Sequence, residues 1–227
     1  MSREKQEEQR EMYRVLASEG SFVKKVDKGT PNSRVRTYTN PKTETEETVT
    51  EDVVKAFIGY IRNIELVEQD WGEVLMLTLL EDNGKEVNLS FNADSNFGID
   101  IMKKLPNVDP MKLVRLAPYS FESEGKKLRG VTVEQDAEKI YTFFSEKNGD
   151  TVKSINGFPE PKGDTSKFTK KNWRDYFGVD VYNFLRDYTV DTTIPKFDDL
   201  PPLPAEAIQM DREAESNEEI TADEVPF

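Results

Sequence analysis

The sequence predicts a mainly β protein, and three observations carry that expectation. Three strand-like runs, 54–67, 73–81 and 85–92, follow one another with turn signals between them. A short helical pattern comes next. Two further strand-like runs, 112–121 and 127–135, complete the series. Strand–strand–strand–helix–strand–strand is the element order of an OB-fold, a five-stranded Greek-key barrel. The alternative is a generic antiparallel sheet with a helix packed on it.

In chain order, residues 3–18 are rich in Glu, Gln and Arg and carry only Met12, Tyr13, Val15, Leu16 and Ala17 as apolar groups. They read as a helix docked weakly if at all. Ser21 to Tyr38 is basic and β-prone, with Gly29-Thr30-Pro31-Asn32 as the turn between two short strands. Residues 39–52, rich in Thr and Glu, read as a linker or exposed loop. The first central run ends Ile61-Arg62-Asn63-Ile64-Glu65-Leu66-Val67, and Glu68-Gln69-Asp70-Trp71-Gly72 joins it to the second. Asp82-Asn83-Gly84 is a hairpin signal, because Asn-Gly suits the positive φ angles of a tight β-turn. In the third run Val87, Leu89 and Phe91 alternate with Glu86, Asn88 and Ser90, so one face is buried and the other wet. Phe97, Ile101, Met102 and Leu105 follow helical spacing until Pro106 ends the helix. Glu122 to Lys126 links the last two strands, and a final apolar run spans Ile140 to Phe144.

Beyond Ser145 a loop punctuated by Gly and Pro leads to Lys167–Phe177, the densest aromatic–basic stretch. Trp173, Tyr176, Phe177, Phe184, Leu185 and Tyr188 share a helical face, with Gly178 as a candidate break between two helices. That face reads first as packing onto the barrel, and second as a base-stacking surface. The expected organisation is an N-terminal helix and basic extension (1–52), an OB-fold core (53–145), a loop and aromatic helix on that core (146–197), and a disordered acidic tail (198–227).

Composition narrows the chemistry. Among 227 residues there is no Cys and no His, which excludes thiolate or imidazole zinc sites, Ser-His-Asp triads and Cys-His nucleophiles. No Gly-rich phosphate loop precedes a Lys-Ser or Lys-Thr. The acid pairs Glu81/Asp82 and Asp198/Asp199 sit at a turn and in the tail, where solvated acids are the norm. A binding protein is therefore expected, with no catalytic residues, no cofactor and no metal. No apolar run reaches the roughly 20 residues of a membrane span, and Met1–Arg10 lacks the apolar core of a signal peptide. The expected location is the cytoplasm.

The net charge of −13 is unevenly spread. Residues 198–227 hold ten acids against the single base Arg212, so the first 197 residues are nearly balanced at −4. A balanced body can carry a basic groove on one face, which is what phosphate binding requires. Single-stranded nucleic acid is gripped by aromatic side chains that stack on bases and cations that track phosphates. The candidates are Trp71 in the loop between strands 1 and 2, and Lys126, Lys127 and Arg129 in or near the loop between strands 4 and 5. Tyr60, Arg62, Arg115, Tyr119 and Phe121 lie on strands. Arg34, Arg36 and Tyr38 alternate along a basic strand, so all three fit one wet face.

The chain ends Asp223-Glu224-Val225-Pro226-Phe227. An apolar ring at the end of a solvated acidic tail gains nothing unless a partner pocket receives it. Acidic residues before Pro-Phe resemble the C-terminal tip of bacterial single-stranded-DNA-binding proteins. An OB-like body with such a tip is similar to the phage-type members of that class. The resemblance implies a protein that coats single-stranded DNA during replication, recombination or repair. Its tip, Asp223 to Phe227, would dock a polymerase, helicase or primase, in the host cytoplasm if the chain is phage-encoded. The long N-terminal extension and the aromatic helix depart from the bacterial pattern and its tetramer, leaving monomer or dimer. Two rivals stand beside it: an acidic DNA mimic or inhibitor, and an OB-fold replisome adaptor that binds protein.

Overall fold

The computed structural model describes residues 11–40, 43–148, 151–198 and 200. The chain is mainly β. Ten strands form one sheet: β1 Glu11–Leu16, β2 Ser21–Lys25, β3 Arg34–Thr39, β4 Glu46–Val54, β5 Phe57–Gln69, β6 Gly72–Leu80, β7 Glu86–Asn92, β8 Val114–Ser123, β9 Lys126–Gln135 and β10 Glu138–Lys139. Helix α1, Asn96–Lys104, lies between β7 and β8, where the sequence pattern puts it. A separate hairpin pairs β11, Ser145–Asn148, with β12, Thr151–Ser154. The remaining helical segment runs through α2 Lys170–Asp175, α3 Tyr182–Tyr188 and α4 Ile194–Phe197, joined by π-turns at Tyr176–Val181 and Thr189–Thr193. Gly178 thus sits in a widened turn of a continuing helix instead of dividing it. Among the described residues no helix is long and apolar enough to cross a membrane.

The five central runs are β5 to β9. The Asn83-Gly84 hairpin forms as expected, with Gly84 at φ 76° and its N–H bonded to the Glu81 carbonyl. Strand β6 is central, and its Leu75, Leu77 and Leu79 are fully buried. They lie opposite Leu66, Ile64 and Ile61 of β5 and Phe91, Leu89 and Val87 of β7. Helix α1 adds Phe97, Ile101 and Met102 to the same cluster. Each such side chain contributes roughly 1.5–3 kcal/mol on leaving water. Tyr176, Val181, Leu185 and Phe197 are buried in this core too, so most of the aromatic helical face packs inward.

Among the described residues the strands do not close into a barrel. The sheet is open, in the order β10-β9-β8-β5-β6-β7-β1-β2-β4-β3. The edge of β7 is taken by β1 in parallel, from Glu11 opposite Val87 to Arg14 opposite Ser90. The edge of β9 is guarded by α1: the Asp100 carboxylate accepts the Val131 N–H at 2.7 Å, and Lys104 donates to the Val131 carbonyl at 2.6 Å. The turn from β1 to β2 folds back against β8. Gly20 is required there, since it has φ 60° and a Cβ would collide with the backbone of Tyr119 and Ser120.

Two expectations for the N-terminal part are corrected. Residues 11–16, expected to be helical, form a strand, and residues 1–10 lie outside the described residues. The reason is tertiary. Tyr13 is 4% exposed, packs edge-on to Phe57 at 4.8 Å and donates its hydroxyl to Asp52 at 2.5 Å. Burial of that ring and pairing with β7 outweigh the helix propensity of a Glu-rich stretch. The stretch 39–52, expected to be a linker, contains most of β4, hydrogen-bonded to β3 on one side and β2 on the other. Three of its acids are cross-strand partners: Glu47 accepts from Tyr38 and Asn40, Asp52 from Tyr13, and Glu51 from two arginines. Glu51, 1% exposed, accepts two bonds from Arg36 at 2.7 and 2.9 Å, and a third, longer contact from Arg34 at 3.4 Å.

Arg36 first, then Arg34, hold the Glu51 carboxyl below its ordinary value of 4.5. A depressed carboxylate contributes stability that is complete above the unfolded-state value and is lost as pH falls through the folded one. Glu51→Gln is expected to lower stability by about 1–3 kcal/mol at neutral pH, because it strips charge-assisted bonds from two arginines. It should also flatten the acid limb below pH 4.5. Urea unfolding across pH 3–7 checks both; equal stability at neutral pH would remove the role given to Glu51.

Candidate nucleic-acid interface

Strand β8 turns Val114, Leu116 and Pro118 inward, so Arg115, Tyr119 and Phe121 face outward. Across the ladder Tyr119 opposes Gly130 and Phe121 opposes Leu128. Glycine at 130 leaves room for the Tyr119 ring. Tyr119 and Phe121 are neighbours with centroids 5.7 Å apart, and Phe121 is 53% exposed. Burial, then Asp100, pushes the Tyr119 hydroxyl pKa up, so this ring stays uncharged at neutral pH. These residues wall a cleft of about 480 Å³ together with Arg129, Lys139 and Tyr141. Tyr141 is the most open ring, at 72%.

A second cleft, of about 540 Å³, lies between α1 and the start of the C-terminal helical segment. Lys103, Arg129, Trp173, Arg174 and Phe177 line it, with Asp94 and Asp100 on its wall. Trp173 and Phe177 are one helical turn apart and stack at 5.7 Å with 21° between their planes. The π-turn that begins at Tyr176 sends Tyr176 into the core and leaves Phe177 51% exposed. Glu73 on β6 holds the segment in place, accepting from the Tyr182 hydroxyl at 2.5 Å and from Arg186 Nε at 2.9 Å. Burial pushes the Lys103 ammonium pKa down, and the group lies over the Phe158 ring at 5.1 Å.

Arg129 lines both clefts, which adjoin at this residue and together form the candidate path. Its Nε is buried with no hydrogen-bond partner among the described residues. Arg129, Lys139 and Arg174 take part in no ion pair among the described residues, unlike Lys104, which is held by Asp100. The two clefts therefore bring aromatic rings together with cations that take part in no ion pair among the described residues. That pairing suits a flexible polyanion carrying flat bases.

The residues expected from sequence divide among several places. Tyr119 and Arg129 lie on the path, and Lys126 and Lys127 stand exposed at the tip of the same β8–β9 hairpin. Arg34, Arg36 and Tyr38 do share one face, with Arg36 over the Tyr38 ring at 5.1 Å. However, Arg34 is paired with Glu19 at 2.5 Å, Arg36 with Glu51, and the Tyr38 hydroxyl donates to Glu47. Arg115 is paired with Glu134 at 2.9 Å. Tyr60 and Arg62 are half-buried on β5, Arg62 at a β-bulge, and neither lines these clefts. Trp71, 64% exposed in the β5–β6 turn, stands at a third concavity of about 610 Å³ with Met12, Arg14, Lys24 and Lys25. There Lys24 is paired with Glu11 at 2.7 Å, and Arg14 lies 3.8 Å from Glu51. The docking tip, Asp223 to Phe227, lies outside the described residues.

Sequence reasoning did not select Lys103, Lys139, Tyr141, Trp173, Arg174 or Phe177 as site residues. The aromatic–basic run Lys167–Phe177 was the available signal for the last three. Nothing local marks Lys139 and Tyr141, which reach the cleft only because the chain reverses after β9. Comparison with known proteins finds no matching family model, no matching curated protein and no matching solved structure.

Proposed function

We propose that this protein binds single-stranded DNA along the two joined clefts, without strong sequence preference, and coats it during replication or recombination. The observation that carries the reading is the lining of the two adjoining clefts: Tyr119, Phe121, Tyr141, Trp173 and Phe177 together with Arg129, Lys139 and Arg174. Stacking tolerates any base because every base has a π-face, and the cations follow the backbone. The five strands β5 to β9 with α1 between the third and fourth keep the element order of an OB-fold, which supports the same reading. Here that unit is extended at its β7 edge by four more strands. A fluorescence titration with a 30-mer of thymidine tests the proposal. Binding is expected at low salt and should weaken steeply as salt rises, since bound cations release counterions. No binding at low salt would remove this function.

On the same reading the acidic residues after Asp198 compete with DNA for the path, and Asp223, Glu224, Val225, Pro226 and Phe227 recruit replication or repair enzymes. Removal of residues 198–227 is expected to raise DNA affinity, most at low salt where screening is weak. Deleting Phe227 alone should leave DNA affinity unchanged and abolish capture of a host polymerase, helicase or primase in a pull-down. Equal affinity of the shortened protein would contradict the competition, and retained capture would contradict the docking.

A further inference from the structure

The two ends of the sheet are treated differently. At one end β10 is only two residues long, and the outward groups of β9 are occupied by Asp100, Lys104 and the N–H of Ile140. At the other end β3 has no strand beyond it among the described residues. Its six residues contain no Pro, Gly or bulge, and its register with β4 is unbroken from Arg34 to Thr39. Val35 is 65% exposed. The charges that would repel an incoming strand are neutralised, Arg34 by Glu19 and Arg36 by Glu51. Proteins that stay monomeric blunt such edges with charge, proline, bulges or a covering element; β3 has no proline or bulge, no covering strand among the described residues, and its two charges are already paired within the chain.

We propose that β3 is the self-association edge of this protein: two copies pair β3 antiparallel about a twofold axis and continue the sheet across it. The residues set the register. With Thr37 on the axis, Val35 opposes Thr39 of the second copy, and Arg36 opposes its Tyr38. Arginine then meets an aromatic ring across the interface, as it already does within the chain at 5.1 Å. With Arg36 on the axis, it would face its own copy and the arginine–aromatic contact across the interface would be lost. The contact is isologous, so it closes as a dimer and does not propagate. None of the residues of β3 lines the clefts around Arg129.

The chain has no cysteine, so Thr37→Cys places a single thiol on the axis. Residues directly opposed on antiparallel strands have Cβ atoms about 4.5–5.5 Å apart, near enough for a disulfide after small adjustment. Wild type is expected to show the mass of a dimer by light scattering. Thr37→Cys should give a covalent dimer on mild oxidation, whereas Val152→Cys, exposed on the separate β11–β12 hairpin, should not. Val35→Lys, on the exposed face of β3, should shift wild-type mass to monomer while the variant still unfolds in a cooperative thermal transition. A monomeric wild type overturns the proposal. So does a dimer that Thr37→Cys fails to link or links no better than Val152→Cys.

Discussion

Replacing Phe121 and Phe177 together by alanine is expected to weaken binding of a thymidine 30-mer by about 30-fold or more and to leave the fold intact. Each base–aromatic stack contributes roughly 1–3 kcal/mol. Losing two therefore costs about 2 kcal/mol at the least, and every 1.4 kcal/mol is about tenfold. Both rings are half exposed, at 53% and 51%, so truncation opens no core cavity. They stand in different clefts, so their effects should add. Affinity would be read by titration and folding by thermal melting. An affinity equal to wild type in a folded variant would end the stacking role.

The second large effect concerns charge. Arg129→Ala with Arg174→Ala should weaken binding at low salt and make its salt dependence shallower by about 1.4, since each phosphate contact to a single strand contributes about 0.7 to the slope. The aromatic pair should leave that slope nearly unchanged, because stacking releases few ions. Arg34→Ala with Arg36→Ala is the matching control. Those cations are already committed to Glu19 and Glu51, so this pair should lower stability more than it lowers affinity. If the control flattens the salt slope and the Arg129/Arg174 pair does not, the path runs over β3 and not through the joined clefts.

The central strands were legible because their signals are local. The alternation of Val87, Leu89 and Phe91, the Asn83-Gly84 turn and the Phe97–Leu105 spacing each depend on neighbours a few residues away. The N-terminal strands were not, because what decides them is distant: Tyr13 needs Phe57 and Asp52, and Glu51 needs Arg34 and Arg36. The same distinction explains the site. Arg34, Arg36 and Tyr38 look like a basic aromatic strand until the acids of β4 are laid beside them. Arg129 looks like one cation among many until β9 places it between two clefts. The barrel expected from element order stays open because β1, read as a helix, takes the edge of β7.

The chain holds two tryptophans, Trp71 and Trp173, one at each candidate surface, and their fluorescence tests the location of binding directly. A base stacked on an indole quenches it, so single-tryptophan variants report which surface the strand occupies. With Trp71→Phe, adding a thymidine 30-mer should still quench the emission, now from Trp173 alone. With Trp173→Phe, most of the quenching should vanish while binding persists by anisotropy. Quenching that disappears in Trp71→Phe and survives in Trp173→Phe would contradict the account and place the strand in the Trp71 groove.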